Sequence, residues 1–161
     1  MSKFFLLVTI LVLLCGCEEQ MSKEQPKLSY YAFRLSPGDD LLESLNKKIQ
    51  EQQIEAAVIL SGVGSLTDYS IRFANQPEAS TGNGHFEITS ITGTLSIHGS
   101  HVHLTIADKT GKCIGGHLMP GNIVYTTVEI VLGIMPEVKF VRELDPKSGY
   151  KELVVKKKTE N

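Results

Sequence analysis

The stretch "GSHVHLTIADKTGKCIGGHLMPG", residues 99–121, holds three of the five histidines of the chain and five of its fourteen glycines. His101 and His103 alternate with Val102 and Leu104. Successive side chains of a β-strand point to opposite faces, so the two imidazoles share one face while Val102, Leu104 and Ile106 share the other, buried one. After Asp108, Lys109-Thr110-Gly111 suits a three-residue hairpin loop, a type I turn closed by glycine in the left-handed region. That loop sets Asp108 opposite Lys112, Ala107 opposite Cys113 and His103 opposite His117; a two-residue loop would turn His117 to the wrong face. Directly opposed Cβ atoms lie about 5 Å apart and alternate residues of one strand about 6.6 Å apart, so three imidazoles converge on one point.

Thr105, Ala107, Gly115 and Met119 share that face and are mostly small, which makes it a pocket floor. Three neutral imidazoles suit zinc or another divalent transition metal and leave a fourth coordination position open. Cys113 lies about 13 Å along the strand from His117 and is not expected to be a ligand. Spacing alone leaves a bland alternative open, polar histidines on an exposed sheet face.

Outward from this hairpin, "SPGDDLLESLNKKIQEQQ" (36–53) reads as a helix. Ser36 is the expected cap and Pro37 sits in the first turn, where its missing N–H costs nothing. Asp39 and Asp40 complement the N-terminal dipole, and Leu41, Leu42, Leu45 and Ile49 form one stripe. Most of the remainder reads as strand: "IEAAVILSG" (54–62), "LTDYSIRFA" (66–74), "HFEITSITG" (85–93), "TLSIHG" (94–99), "HVHLTIAD" (101–108), "CIGGHLM" (113–119), "IVYTTVEIVLGI" (123–134) and "KFVREL" (139–144). "ANQPEASTGNG" (74–84) is the long loop. One early helix followed by antiparallel strands gives an α+β class, a mainly antiparallel sheet with a flanking N-terminal helix. A single helix cannot cover both faces of such a sheet, and the aliphatic strand 123–134 has apolar surface to spare, so burial between subunits is expected.

At 161 residues, 42% hydrophobic and 21% charged, the chain has the composition of one ordinary globular domain. Its net charge of -2 argues against a surface built to neutralise phosphates, so nucleic acid is not an expected partner. The first twenty residues, "MSKFFLLVTILVLLCGCEEQ", have Lys3, an apolar run from Phe4 to Leu14, then small residues, which is the pattern of a signal peptide. Leu14-Cys15-Gly16-Cys17 resembles a bacterial lipobox. That resemblance implies removal of residues 1–16, a lipidated Cys17 anchoring the protein to a membrane, and a place in the bacterial cell envelope, at the outer membrane where the organism has one. Residues 17–29 then form the lipidated cysteine and its tether, 30–155 the domain, and 156–161 a basic tail expected to fray. The mature chain keeps only Cys113, so no internal disulfide stabilises it.

The segments "GVGSL" (62–66), "GHFEITSITGTLS" (84–96) and "GSHVHLTIADKTGKCIGGHLMPGNIVYTTVEIVLG" (99–133) together resemble the plants-and-prokaryotes conserved (PPC) domain, over about Tyr31 to Val155. The most specific parts are Gly-x-Phe-Glu-Ile at Gly84–Ile88, and His101 and His103 with Gly115, Gly116 and His117. The resemblance implies a homotrimer, with zinc on the three histidines in prokaryotic members, and leaves the biochemical activity unsettled. Two features depart from it: His85 stands where plant members carry Arg, and a lipoprotein signal is unusual in a group often described as DNA-binding.

The expected function is therefore a membrane-anchored, zinc-binding PPC-domain protein, a ligand-binding or assembly module built on His101, His103 and His117. The alternative is a zinc-dependent enzyme of lyase or hydrolase type acting on a small carbonyl or carboxylate compound. Glu87 or Glu129 would then move the proton while zinc polarises a carbonyl or activates water. DNA binding ranks last, since no Arg-Gly-Arg-Pro hook is present. Arg72, in "YSIRFA", would hold an anionic ligand or pair with a glutamate, and His85 and His98 are expected to be surface or hydrogen-bonded histidines, either able to support the site from behind the metal ligands.

Overall fold

The computed structural model describes residues 28–158, so the expected signal, the lipid site at Cys17 and most of the tether lie outside the described residues. The elements are β1 (Ser29–Leu35), α1 (Leu41–Glu51), β2 (Ala57–Arg72), β3 (Ser80–Leu95), β4 (His101–Ala107), β5 (Cys113–Leu118), β6 (Ile123–Ile134), β7 (Val138–Leu144) and β8 (Lys151–Lys157). Six strands form one antiparallel sheet in the order β1-β6-β2-β3-β4-β5, and β7 pairs with β8 in a second ladder. The α+β architecture, a mainly antiparallel sheet with one flanking helix, is the expected one.

The helix starts later than its sequence suggests. Asp40, not Ser36, is the N-cap, its side chain accepting from Glu43 N at 3.0 Å. Ser36 to Asp39 form a turn instead, in which Ser36 N donates to Asp39 Oδ2 at 2.8 Å. Tertiary contacts decide this: Gly38 N donates to Val124 O and Val124 N to Asp39 O, each at 2.9 Å, so the chain is tied to β6 before it can coil. Leu41, Leu45 and Ile49 are buried in one cluster with Leu66, Val128, Ile130 and Leu132 of the sheet. Each such side chain contributes about 1.5–3 kcal/mol on burial.

β2 and β3 each join two stretches that read as separate strands. Their internal glycines are not strand ends but points of close approach: a Cβ on Gly62 would lie 2.3 Å from Ile91 Cγ2, and one on Gly93 2.4 Å from His101 O. Register shifts near Ile59, Gly64 and Leu66 bend β2. Beyond Asp68, where pairing with β6 ends, β2 takes up β5 instead, with Ile71 opposite Leu118 and Arg72 opposite His117. Strands β2, β3, β4 and β5 thereby close on themselves, and this closure positions the site.

At the two ends of the domain the chain is more ordered than expected. Ser29, read as tether, pairs with Ile134 in β1. Lys156 and Lys157, read as the start of a fraying tail, pair with Lys139 and Val138, while Lys158 N donates to Glu137 O at 2.8 Å and its ammonium pairs with Glu55. The β7–β8 hairpin is pinned to the main sheet by the buried Phe140, whose N donates to Glu55 O at 2.8 Å and whose O accepts from Ser96 Oγ at 3.0 Å.

Candidate metal centre

The β4–β5 loop has the geometry that its residues predict. Asp108 N donates to Lys112 O at 3.0 Å, Gly111 N donates to Asp108 O at 2.9 Å, and Gly111 adopts φ +82°. Asp108 Oδ1 holds the loop further by accepting from Thr110 N, Thr110 Oγ1 and Lys112 N. The register that follows places Ala107 opposite Cys113 and His103 opposite His117. Val102, Leu104 and Ile106 are buried on one face of β4, and His101 and His103 stand exposed on the other.

The three imidazoles meet there. Their ring centroids lie 5.0, 5.0 and 5.7 Å apart, and one ligand nitrogen from each falls within 4.8 Å of the others. His101 Nε2 and His103 Nε2 are 3.3 Å apart. Two nitrogens each about 2.05 Å from a tetrahedral zinc would also be about 3.3 Å apart. The widest nitrogen separation exceeds that figure by no more than about 1.5 Å, which side-chain rotation covers. The donor set therefore fits zinc or another divalent transition metal, and it is the one such cluster of histidine, cysteine and carboxylate groups among the described residues. Cys113 is exposed at the loop end of β5 and takes no part.

Neighbouring strands fix each ligand. Thr94 and Thr92 of β3 lie opposite His101 and His103, and Arg72 of β2 lies opposite His117. The Gly-Gly that precedes His117 has a steric cause: a Cβ on Gly115 would meet Thr105 Oγ1 at 2.6 Å, and one on Gly116 would meet Arg72 O at 2.6 Å. Fully buried Asn122 ties the end of β5 to β2, its Nδ2 donating to Ser70 O at 2.8 Å and Met119 O at 2.6 Å while its Oδ1 accepts from Ser70 N.

The electrostatics favour neutral rings. Partial desolvation of its ring inside the cluster, although its edge stays open to solvent, and then the positive influence of His103 and Arg142 hold His101 below the usual histidine range. Burial, then His101 and Arg72, does the same to His117. A neutral imidazole is the form that binds metal, so these two ligands are ready for it at neutral pH.

The histidines border two clefts. The larger, of about 1100 Å³, has His101 and His117 on one wall, joined by Arg72, His98, Arg142, Tyr150, Lys151 and Glu152. The smaller, of about 330 Å³, runs past His101 and His103 over Val58, Thr92 and Thr94. The carboxylates expected to serve the site are not brought to it. Glu87 is exposed and pairs with Ala107, four residues from His103, or about 13 Å along the strand. Glu129 is exposed on β6, opposite Val63 and Arg34, and three strand spacings from β4 amount to about 14 Å. The carboxylate at the cleft is Glu152, which sequence reading missed together with Arg142, Tyr150 and Lys151. A signal was present: Leu153 and Val155 alternate with Glu152 and Val154 after a Ser148-Gly149 turn, with Gly149 at φ +76°. His85 stands away from the cluster, its ring 4.3 Å from that of Tyr125.

An antiparallel sheet covered by one helix, closed through β2 and β5 beside a histidine triplet, defines an α+β domain with a candidate metal centre. Residues 22–136 match the Plants and Prokaryotes Conserved (PCC) domain, and the chain belongs to that family, called PPC above. It is 44% identical over 126 residues, 78% of its length, to "Bifunctional protein GlmU" of Synechococcus sp. (strain JA-2-3B'a(2-13)). The chain spans about one fifth of the length of the curated relatives it matches. Among solved structures, a hypothetical protein from Salmonella enterica superposes with a TM-score of 0.82 at 39% identity, covering 84% of this chain and 98% of that one. A metal-containing protein from Archaeoglobus fulgidus shares the fold at a TM-score of 0.67 and 24% identity, covering 78% of this chain and 93% of that one.

Proposed function

We propose that the chain is a zinc-binding PCC-domain protein of the bacterial envelope, a ligand-binding or assembly module whose metal is held by His101, His103 and His117. The observation that carries the metal is the placement of three ligand nitrogens within 4.8 Å of one another, two of them on rings kept neutral by partial desolvation and neighbouring positive groups. The description of the Archaeoglobus relative as metal-containing supports it. When bound, the metal would supply a positively charged centre with an open coordination position for an oxygen ligand. The chain's own contribution is to fix the three rings through the β4–β5 register and to line the cleft beside them.

Protein purified without chelator should carry about one zinc per subunit. His101→Ala, His103→Ala and His117→Ala should each abolish that, and His85→Ala should leave it unchanged. Retention of metal by His117→Ala would overturn the assignment.

Anchoring rests on the lipobox-like Leu14-Cys15-Gly16-Cys17, and a diacylated or triacylated Cys17 in the mass spectrum of membrane-extracted protein is its test. A homotrimer is supported by exposed apolar side chains, among them Leu60, Val63 and Tyr125, on strands β2 and β6. Light scattering that reports a monomer at micromolar concentration would refute it. A second reading, a metal-dependent lyase or hydrolase acting on a small carbonyl or carboxylate compound, is favoured by the open cleft. Glu152 is better placed there than Glu87 or Glu129 to hold a proton.

A further inference from the structure

The large cleft beside the histidines is lined by three cationic side chains, Arg72, Arg142 and Lys151, against a single carboxylate, Glu152. Neither arginine forms an ion pair among the described residues. Both are half-buried, and both are tethered to neutral partners. Arg72 Nη1 reaches only Gln76 O, at 3.5 Å, and Arg142 Nη2 donates to Thr94 Oγ1 at 2.7 Å. Thr94 lies opposite His101 and Arg72 lies opposite His117, so the two guanidiniums flank the histidine cluster from different strands. Partly desolvated charges without a counter-charge are costly to hold, and a divalent metal at the histidines would add two more positive charges to the same wall.

We infer that this cleft is a binding site for a small dianion, such as a dicarboxylate or a phosphate monoester, whose charged ends lie between the two arginines and the histidine centre. The inference builds on the proposed metal site but does not require it, because the arginines are carried to the cleft by β2 and β7 and not by the metal. Planar guanidiniums present paired donors that match the oxygens of carboxylate and phosphate. A neutral or cationic ligand would leave both uncompensated. Arg72 belongs to the residues matched to the PCC family, whereas Arg142, Lys151 and Glu152 lie on the β7–β8 hairpin beyond residue 136. The hairpin supplies two of the three cationic side chains of the cleft, so it takes part with the sheet in setting which dianion fits. Its Glu152 disfavours further negative charge at that end of the cleft.

The test is calorimetric titration of the full chain, purified in detergent, in cobalt-loaded and metal-free forms, with malonate, inorganic phosphate and the neutral malonamide. Malonate or phosphate should bind and malonamide should not; which of the two anions binds more tightly distinguishes a carboxylate ligand from a phosphorylated one. Arg72→Met and Arg142→Met should each weaken anion binding at least tenfold while leaving metal content unchanged, and Arg72→Lys should recover part of the loss. Lys151→Met, at the exposed start of β8, should weaken binding without altering the melting temperature, which guards against a misfolded arginine variant. In the cobalt form, a shift of the visible absorption on adding anion would place one end on the metal. Equal binding of malonate and malonamide, or anion affinity unchanged in the Arg72→Met/Arg142→Met double variant, would overturn the proposal. Failure of the wild-type chain to take up cobalt, with arginine-dependent anion binding retained, would overturn the metal reading and uphold this one.

Discussion

Gly116→Ala tests how the metal centre depends on the closure of the sheet. The added methyl would lie 2.6 Å from Arg72 O and 3.0 Å from Ile71 Cγ2, both on β2. Restoring an ordinary contact of roughly 3.4 Å requires β5 to retreat from β2 by about 0.8 Å. A backbone oxygen cannot rotate aside, so the strand itself must move. Overpacking of this kind costs about 1–3 kcal/mol, which at roughly 4 °C per kcal/mol for a domain of this size lowers Tm by about 4–12 °C. His117 is the next residue on β5 and moves with it, so its ring must rotate further from its resting position to hold a metal–ligand distance that tolerates only about 0.2 Å. Zinc affinity should therefore fall at least about tenfold, the scale of effect seen when residues supporting a metal ligand are lost. Differential scanning calorimetry with and without chelator, and competition against a chromophoric zinc chelator, read the two quantities separately. Gly111→Ala is the control: at φ +82° with no atom within 4 Å of its Cβ, it should cost about 1 kcal/mol of backbone strain and leave zinc affinity unaltered. Wild-type zinc affinity in Gly116→Ala, or an equal loss in Gly111→Ala, would refute the link between β2–β5 closure and the site.

Two further outcomes follow from the core and from the histidines. Leu45 is fully buried between α1 and the sheet, so Leu45→Ala should destabilise the chain by about 2–5 kcal/mol in urea unfolding, with zinc stoichiometry preserved; a loss below about 1 kcal/mol would mean that the helix does not pack as described. For the metal-free chain, His101 and His117 have folded-state pKa values below those of the unfolded chain. The unfolded chain therefore takes up protons first as pH falls, and stability should be full above about pH 6.5 and decline below it. The lowered carboxylates Glu55, Asp68 and Asp108 act only at more acidic pH, through the carboxylate range. Melting temperatures of chelated protein between pH 8 and 5 should show that decline, and a His101→Gln/His117→Gln variant should flatten it; a slope of opposite sign would contradict the burial argument.

The sequence by itself determined what is local. Period-two alternation in "HVHLTIA" decided which face of β4 is buried, and the Asp108–Gly111 turn fixed the register that sets His103 against His117, because turn chemistry and pleat act over a few residues. The aliphatic stripe of α1 was equally legible, although its first residue was not, since the hydrogen bonds of Gly38 and Asp39 with Val124 of β6 override the cap that Ser36 offers. Only the tertiary structure decided where the charges lie. Glu87 and Glu129 carry the right chemistry, but the register places them on the wrong residues and strands, while Arg142 and Glu152 enter the site from a hairpin more than twenty residues beyond His117. Arg72 meets His117 because β2 outruns β6 and its freed edge is taken by β5. No local pattern encodes that exchange of partners. It follows from the unequal lengths and bends of strands far apart in the chain, and from the need to satisfy every edge they leave open.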